Sequence, residues 1–185
     1  MDSVFVLNGL RFGATTEHDD SMGEPWKEHD GHGVVVDWVS RNKQPHERVL
    51  AAGRGTRMYY DVKASMEIAL RDGWGLSAVN LDALITKLGR VPKPGDIAAA
   101  AVDADYDRLC GWCNNDWGYV GVIVTLLDVD GRPTDERESL WGVESDAEDY
   151  LEEVALELAE QIAERIGDAT TIPARPSEFV VRRAA

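Results

Sequence analysis

Two short pairs of ligand-type residues stand out in the chain, His29-Asp30-Gly31-His32 and Cys110-Gly111-Trp112-Cys113. Two imidazoles and two thiolates would suit a tetrahedral Zn²⁺ ion. The same Cys-x-x-Cys spacing could be redox-active, because a thiol at a helix N-terminus gives up its proton more readily. The flanking sequence argues against both chemistries. Cys110 and Cys113 fall late in a helical pattern that starts near Asp96, where the helix dipole opposes a thiolate. Asp30-Gly31 is a turn in its own right. The expectation is two buried structural cysteines with no disulfide, no bound metal and no cofactor. The alternative is a metal-dependent or thiol enzyme that uses His29, His32, Cys110 and Cys113.

Other catalytic patterns are incomplete. Asp128-Val129-Asp130-Gly131 resembles part of a calcium loop, but its glycine is fourth instead of sixth and the closing acid is missing. It reads as a hairpin turn. No carboxylate pair for acid–base work can be singled out among the 34 acids, and neither a nucleophile triad nor a phosphate-binding glycine loop has a local signature. No catalytic residue is expected, and the chain reads as a non-catalytic protein.

Charge is the stronger signal. The formal net charge is −15, and residues 95–170 carry 20 acids against 4 bases, while the rest of the chain is near neutral. Within that region Glu148, Asp149, Glu152, Glu153, Glu157, Glu160 and Glu164 all avoid the apolar stripe of a C-terminal helix. Residues three and four apart on a helix lie about 5–6 Å from one another at Cβ, so these acids form a ribbon with a spacing comparable to that of phosphates along a nucleic-acid strand. Asp103 and Asp107 on the preceding helix, with Asp128 and Asp130 in the hairpin turn, extend the candidate partner-binding set; Asp135 and Glu136 belong to the same turn. Like charge repels phosphate, so a basic protein surface is the expected partner, with no direct nucleic acid and no membrane. A structural adaptor without mimicry is a further alternative. Residues 41–57 hold five bases (Arg41, Lys43, Arg48, Arg54, Arg57) and one acid, Glu47. No apolar run approaches the roughly 18 residues of a membrane span, and the N-terminus lacks a signal-peptide pattern. A cytoplasmic protein is expected.

Positioning these residues requires a core, and 185 residues suffice for one. We expect a single domain over 1–185, with a near-neutral part (1–94), an acidic part (95–170) of the same fold, and a tail (171–185). Val4–Leu7, ended by Asn8-Gly9, reads as a strand; 13–33 as a loop; Val34–Val39 as a strand; and 41–57 as a polar stretch. A helix capped by Asp61 and stopped by Gly73 follows, then one from Asn80 to Gly89, then one from Gly95-Asp96 to about Asn115 that buries Val102, Tyr106, Leu109 and Cys113. Tyr119–Leu127 and 138–143 form a hairpin. The last helix is capped by Ser145 or Asp146, with Ser145 and Glu148 matching a capping box, and has a core side of Leu151, Val154, Ala155, Leu158, Ile162 and Ile166. Residues 178–181 (Glu-Phe-Val-Val) are expected to add an edge strand after Pro173 and Pro176, and Trp112, Trp117 and Trp141 to share an aromatic core. The order predicts an α+β fold: a small, mostly antiparallel sheet with about four helices packed on it.

Three segments carry a resemblance. They are Glu47-Arg48-Val49-Leu50 through Tyr59-Tyr60-Asp61 to Asp72-Gly73-Trp74; Trp112 to Val122 (Trp-Cys-Asn-Asn-Asp-Trp-Gly-Tyr-Val-Gly-Val); and Glu138 to Asp146 (Glu-Ser-Leu-Trp-Gly-Val-Glu-Ser-Asp) with the helix after it. Together the chain resembles small bacteriophage- and prophage-encoded proteins of unknown function, over about two-thirds of its length. That family has no assigned activity, so the resemblance implies only a context, a viral accessory protein acting inside a bacterium. By analogy with other small acidic phage proteins, the expected role is inhibition of a host nucleic-acid-handling defence protein. A CRISPR effector or a restriction enzyme would be blocked by an acidic, DNA-mimicking surface.

Overall fold

A computed structural model describes residues 2–75 and 81–167, and divides them into two compact units, 2–22 with 117–167 and 23–116. In chain order the strands are β1 (Asp2–Leu7), β2 (Leu10–His18), β3 (Val34–Val39), β4 (Glu47–Ala52), β5 (Arg57–Asp61), β6 (Tyr119–Leu127) and β7 (Pro133–Glu144). The helices are α1 (Pro25–Glu28), α2 (Val62–Asp72), α3 (Leu81–Leu88), α4 (Pro94–Cys113) and α5 (Glu148–Ile166). Both sheets are antiparallel, one in the order β1-β2-β6-β7 and the other β3-β5-β4. The fold is α+β, as the order of elements predicts. The change of charge at residue 95 falls at the start of α4, inside the second unit.

The first unit is the four-stranded sheet with α5 on one face. Asn8 and Gly9 both take positive φ, the backbone of a two-residue hairpin turn that matches strand twist, so β1 runs straight into β2. That strand occupies part of the expected 13–33 loop. Its sequence, Leu-Arg-Phe-Gly-Ala-Thr-Thr-Glu-His, carries little strand signal of its own, and hydrogen-bonded neighbours on both sides supply what propensity does not. Phe5, Phe12, Ala14, Val122, Val124 and Val143 face Leu151, Val154, Ala155, Leu158, Ala159 and Ile162 of α5 in one core. Each large apolar side chain buried there stabilises by about 1.5–3 kcal/mol. The capping box does not form: the N-cap is Ala147, and the Ser145 hydroxyl accepts from the Gly118 N–H at 3.0 Å instead.

In the second unit α2 and α4 lie against the three-stranded sheet. Asp61 caps α2 by accepting from the Ala64 N–H, and the helix ends at Gly73 as expected. The polar 41–57 stretch contains β4 and the first residue of β5, and three of its charges, Arg41, Glu47 and Arg48, are taken up by partners within the fold. Glu47 is buried, with Arg41 Nη2 2.5 Å from its Oε1 and the Gln44 N–H donating to Oε2 at 2.7 Å. Arg41 also lies 5.0 Å over the Tyr59 ring. Arg48 pairs with Asp103 at 2.8 Å and covers the Tyr106 ring. Leu50, Met58, Tyr60, Ala69, Ala98, Val102 and Leu109 make the core. Tyr106 and Cys113 of the expected α4 stripe are only partly buried.

The hydrogen bonds from Arg41 hold the Glu47 carboxyl at about 2. Because the folded value lies below the ordinary one, its contribution is complete above about pH 4.5 and is lost as pH falls toward 2. Acid titration of unfolding should therefore show a loss of stability in that window that Glu47→Gln removes; identical acid profiles would show that the pair does not set it.

Trp141 is too exposed for the shared aromatic core expected of Trp112, Trp117 and Trp141. Trp112 packs edge-on against Trp26, Trp117 edge-on against Tyr119, and Trp141 is half-exposed with its ring over Gly121. The Asn80 cap, the two tail prolines, the 171–185 tail and the 178–181 strand lie outside the described residues.

Candidate functional site

Helix α5 separates its residues cleanly. Buried positions recur every three or four residues, at 151, 154, 155, 158, 159 and 162, which lays them along one face. Glu148, Asp149, Glu152, Glu153, Glu157, Glu160 and Glu164 are all exposed. Glu148 and Asp149 sit in the first turn, where the dipole favours an anion, whereas Glu164 sits at the unfavourable end. The only cation of α5, Arg165, turns to β7, pairing with Glu138 and reaching Glu136 Oε2 at 3.2 Å. Those partners hold its guanidinium above its ordinary pKa. Among the described residues none of the seven α5 acids forms an ion pair or side-chain hydrogen bond. Like-charge pairs four apart each oppose the helix by a few tenths of a kcal/mol, so the apolar stripe carries this ribbon against a local electrostatic cost.

The remaining acids of the candidate set are placed differently. Asp128 is a turn-former, its Oδ1 accepting from the N–H groups of Asp130 and Arg132 at 2.9 and 2.8 Å. Asp130 is exposed, with Arg132 3.7 Å away. Asp135 and Glu136 lie on β7 instead of in the turn. Asp103 and Asp107 are exposed on α4 in the second unit, and Asp103 is neutralised by Arg48. The structure thus gathers the seven α5 residues on one helix face and assigns Asp128 and Asp103 local structural partners.

No protein-family model, curated protein or solved structure matches the chain.

The His/Cys set is not assembled. Among the described residues no group of three or more His, Cys, Asp or Glu side chains is placed to hold a metal ion. Cys110 and Cys113 are free thiols within α4, and burial, followed by Cys110 and Glu24, pushes the Cys113 thiol up to about 11. His32 instead meets Asp105, with Nδ1 2.6 Å from Oδ1. The other carboxylate oxygen accepts from the Gly33 N–H and the Tyr60 hydroxyl, each at 2.8 Å. An ionised carboxylate only accepts, so Nδ1 carries the proton. Sequence reading passes over this cluster because His32 and Asp105 are 73 residues apart and no local spacing links them. The same holds for Arg165 with Glu136 and Glu138, which only the packing of α5 on the sheet brings together. No helix among the described residues is long and apolar enough to cross a membrane.

Proposed function

We propose that the chain is a bacteriophage-encoded, non-catalytic inhibitor that acts in the host bacterial cytoplasm. It binds a nucleic-acid-handling defence protein, a CRISPR effector or a restriction enzyme, and presents carboxylates where that protein expects phosphates. The observation that carries the reading is the α5 face: seven exposed acids, none of them neutralised by a described residue, on a helix fixed by a buried stripe. A rigid helix needs no ordering on binding, and complementary charge raises the encounter rate with a basic surface. Acids engaged within the fold, Asp103 and Asp128, contribute less than the free ribbon.

The test is charge reversal. With the host partner identified by co-purification, the triple variant Glu153→Lys, Glu157→Lys, Glu160→Lys is expected to lose binding while remaining folded, since relief of like-charge repulsion leaves stability unchanged or slightly raised. Wild-type association should slow as salt increases, as exposed charges are screened beyond about 8 Å. A folded triple variant with wild-type affinity would reduce the α5 face to a solvated surface.

A further inference from the structure

We propose that β1 is a pairing edge for a second copy of this chain, joining two four-stranded sheets into one of eight strands across a two-fold axis. The two edges of the sheet differ sharply. On β7, Pro133, the charged run Asp135-Glu136-Arg137-Glu138 and two breaks in register with β6 block further pairing. β1 has none of these guards. Its register with β2 is unbroken from Asp2↔Thr15 to Leu7↔Leu10, and Asp2-Ser3-Val4-Phe5-Val6-Leu7 contains neither proline nor lysine.

The backbone of this edge is oriented for use. The two-residue turn makes Leu7 and Leu10 a hydrogen-bonded pair, so alternation commits Leu7, Phe5 and Ser3 to β2 and turns the N–H and C=O groups of Val4 and Val6 outward. The side chains of Val4 and Val6 are 54% and 49% exposed, whereas Phe5 between them is buried at 7%. Beside them Gly13 brings no side chain, leaving a groove of about 640 Å³ bordered by Val4, Thr15 and Leu127, so the sheet itself does not cover them.

The strand is also complementary to itself. In an antiparallel pair centred on Phe5, Val4 stands opposite the partner copy's residue 6 and Val6 opposite its residue 4, on the same face. β-Branched residues then meet across the join, and the strand's only acid, Asp2, faces residue 8 of the partner instead of its own counterpart. Such an interface uses one patch twice and closes at two copies. β1 belongs to the near-neutral part of the chain, but each copy carries a net charge of −15. Mutual repulsion therefore opposes pairing at low ionic strength and fades as salt is added. This salt dependence is the reverse of that expected for the α5 face with a basic partner.

Light scattering on the purified full chain, across the micromolar range and at low and physiological salt, tests the proposal. The wild type is expected to reach twice the mass of one chain, more completely at the higher salt. Val4→Lys with Val6→Lys should return the mass to that of one chain, with an unchanged unfolding midpoint because both side chains are half-exposed. Val6→Pro should do the same by removing one outward N–H while leaving the bonds to β2 intact. A wild-type mass of one chain at every concentration overturns the proposal. So does a dimer that survives in both variants, or one that is lost instead in the α5 triple variant.

Discussion

Asp105→Ala should lower the unfolding free energy by about 3–5 kcal/mol, one of the two largest losses expected from a single substitution in this chain. The carboxylate accepts three hydrogen bonds, from the His32 imidazole, the Gly33 N–H and the Tyr60 hydroxyl. A buried donor left without an acceptor costs about 1–3 kcal/mol. Tyr60 is fully buried and Gly33 is buried, so water cannot replace Asp105 for either, although His32 can recover part of its loss at the surface. The Val102 carbonyl, 3.5 Å from the Tyr60 hydroxyl, is too distant to replace the carboxylate fully, and Tyr60 and Ser65 crowd Gly33 so closely that even a Cβ there would overlap their hydroxyls. Urea titration followed by the fluorescence of Trp26 and Trp112 reads the second unit, and a midpoint equal to wild type would mean that the three donors find other acceptors.

Ile162→Ala should cost about 2–5 kcal/mol, the range for removing a fully buried branched side chain and leaving a cavity. Ile162 is 0% exposed and packs in the core formed by α5 and the sheet. Neighbouring Glu160 is exposed, and Glu160→Ala should fall within about 0.5 kcal/mol of wild type. Thermal unfolding of the two variants side by side measures the register of the whole helix. Equal midpoints would place Ile162 outside the core.

Where local chemistry dictates structure, the sequence was legible. The α5 stripe could be read because apolar residues recur at helical spacing over nineteen positions, and the same periodicity places all seven acids on the opposite side. Asp61 and Gly73 bracket α2 because a carboxylate accepts helix N–H groups and glycine takes the left-handed stop. Val34–Val39 and Tyr119–Leu127 announce themselves by β-branching. β2, β4 and β5 do not. The first is polar and glycine-containing, and the others lie in a basic stretch in which Arg41 and Arg48 are paired with Glu47 and Asp103. The Asn8-Gly9 pair was a signal for the first hairpin, but the strand beyond it has no periodicity to confirm it. Ser145 failed as a cap because a distant N–H, that of Gly118, competes for its hydroxyl. The His32–Asp105 contact had no local trace at all, since nothing but tertiary packing joins the segment before β3 to α4 at that point.

The first unit is interrupted: its central strands β2 and β6 are neighbours in the sheet, yet the whole of 23–116 is threaded between them. During synthesis the β1–β2 hairpin appears first, and a lone hairpin is marginal in water. Its missing neighbour emerges only after the inserted segment is complete. That segment is continuous in sequence and buries its own core, so it can mature while the hairpin waits. The edge-on contact of Trp26 with Trp112, rings 5.3 Å apart, clasps the two ends of the insert together. Once clasped, a long excursion of chain behaves as a short tether, and the entropy of bringing β6 to β2 falls accordingly. The connectivity thus lets the insert fold before the sheet that carries α5 is complete.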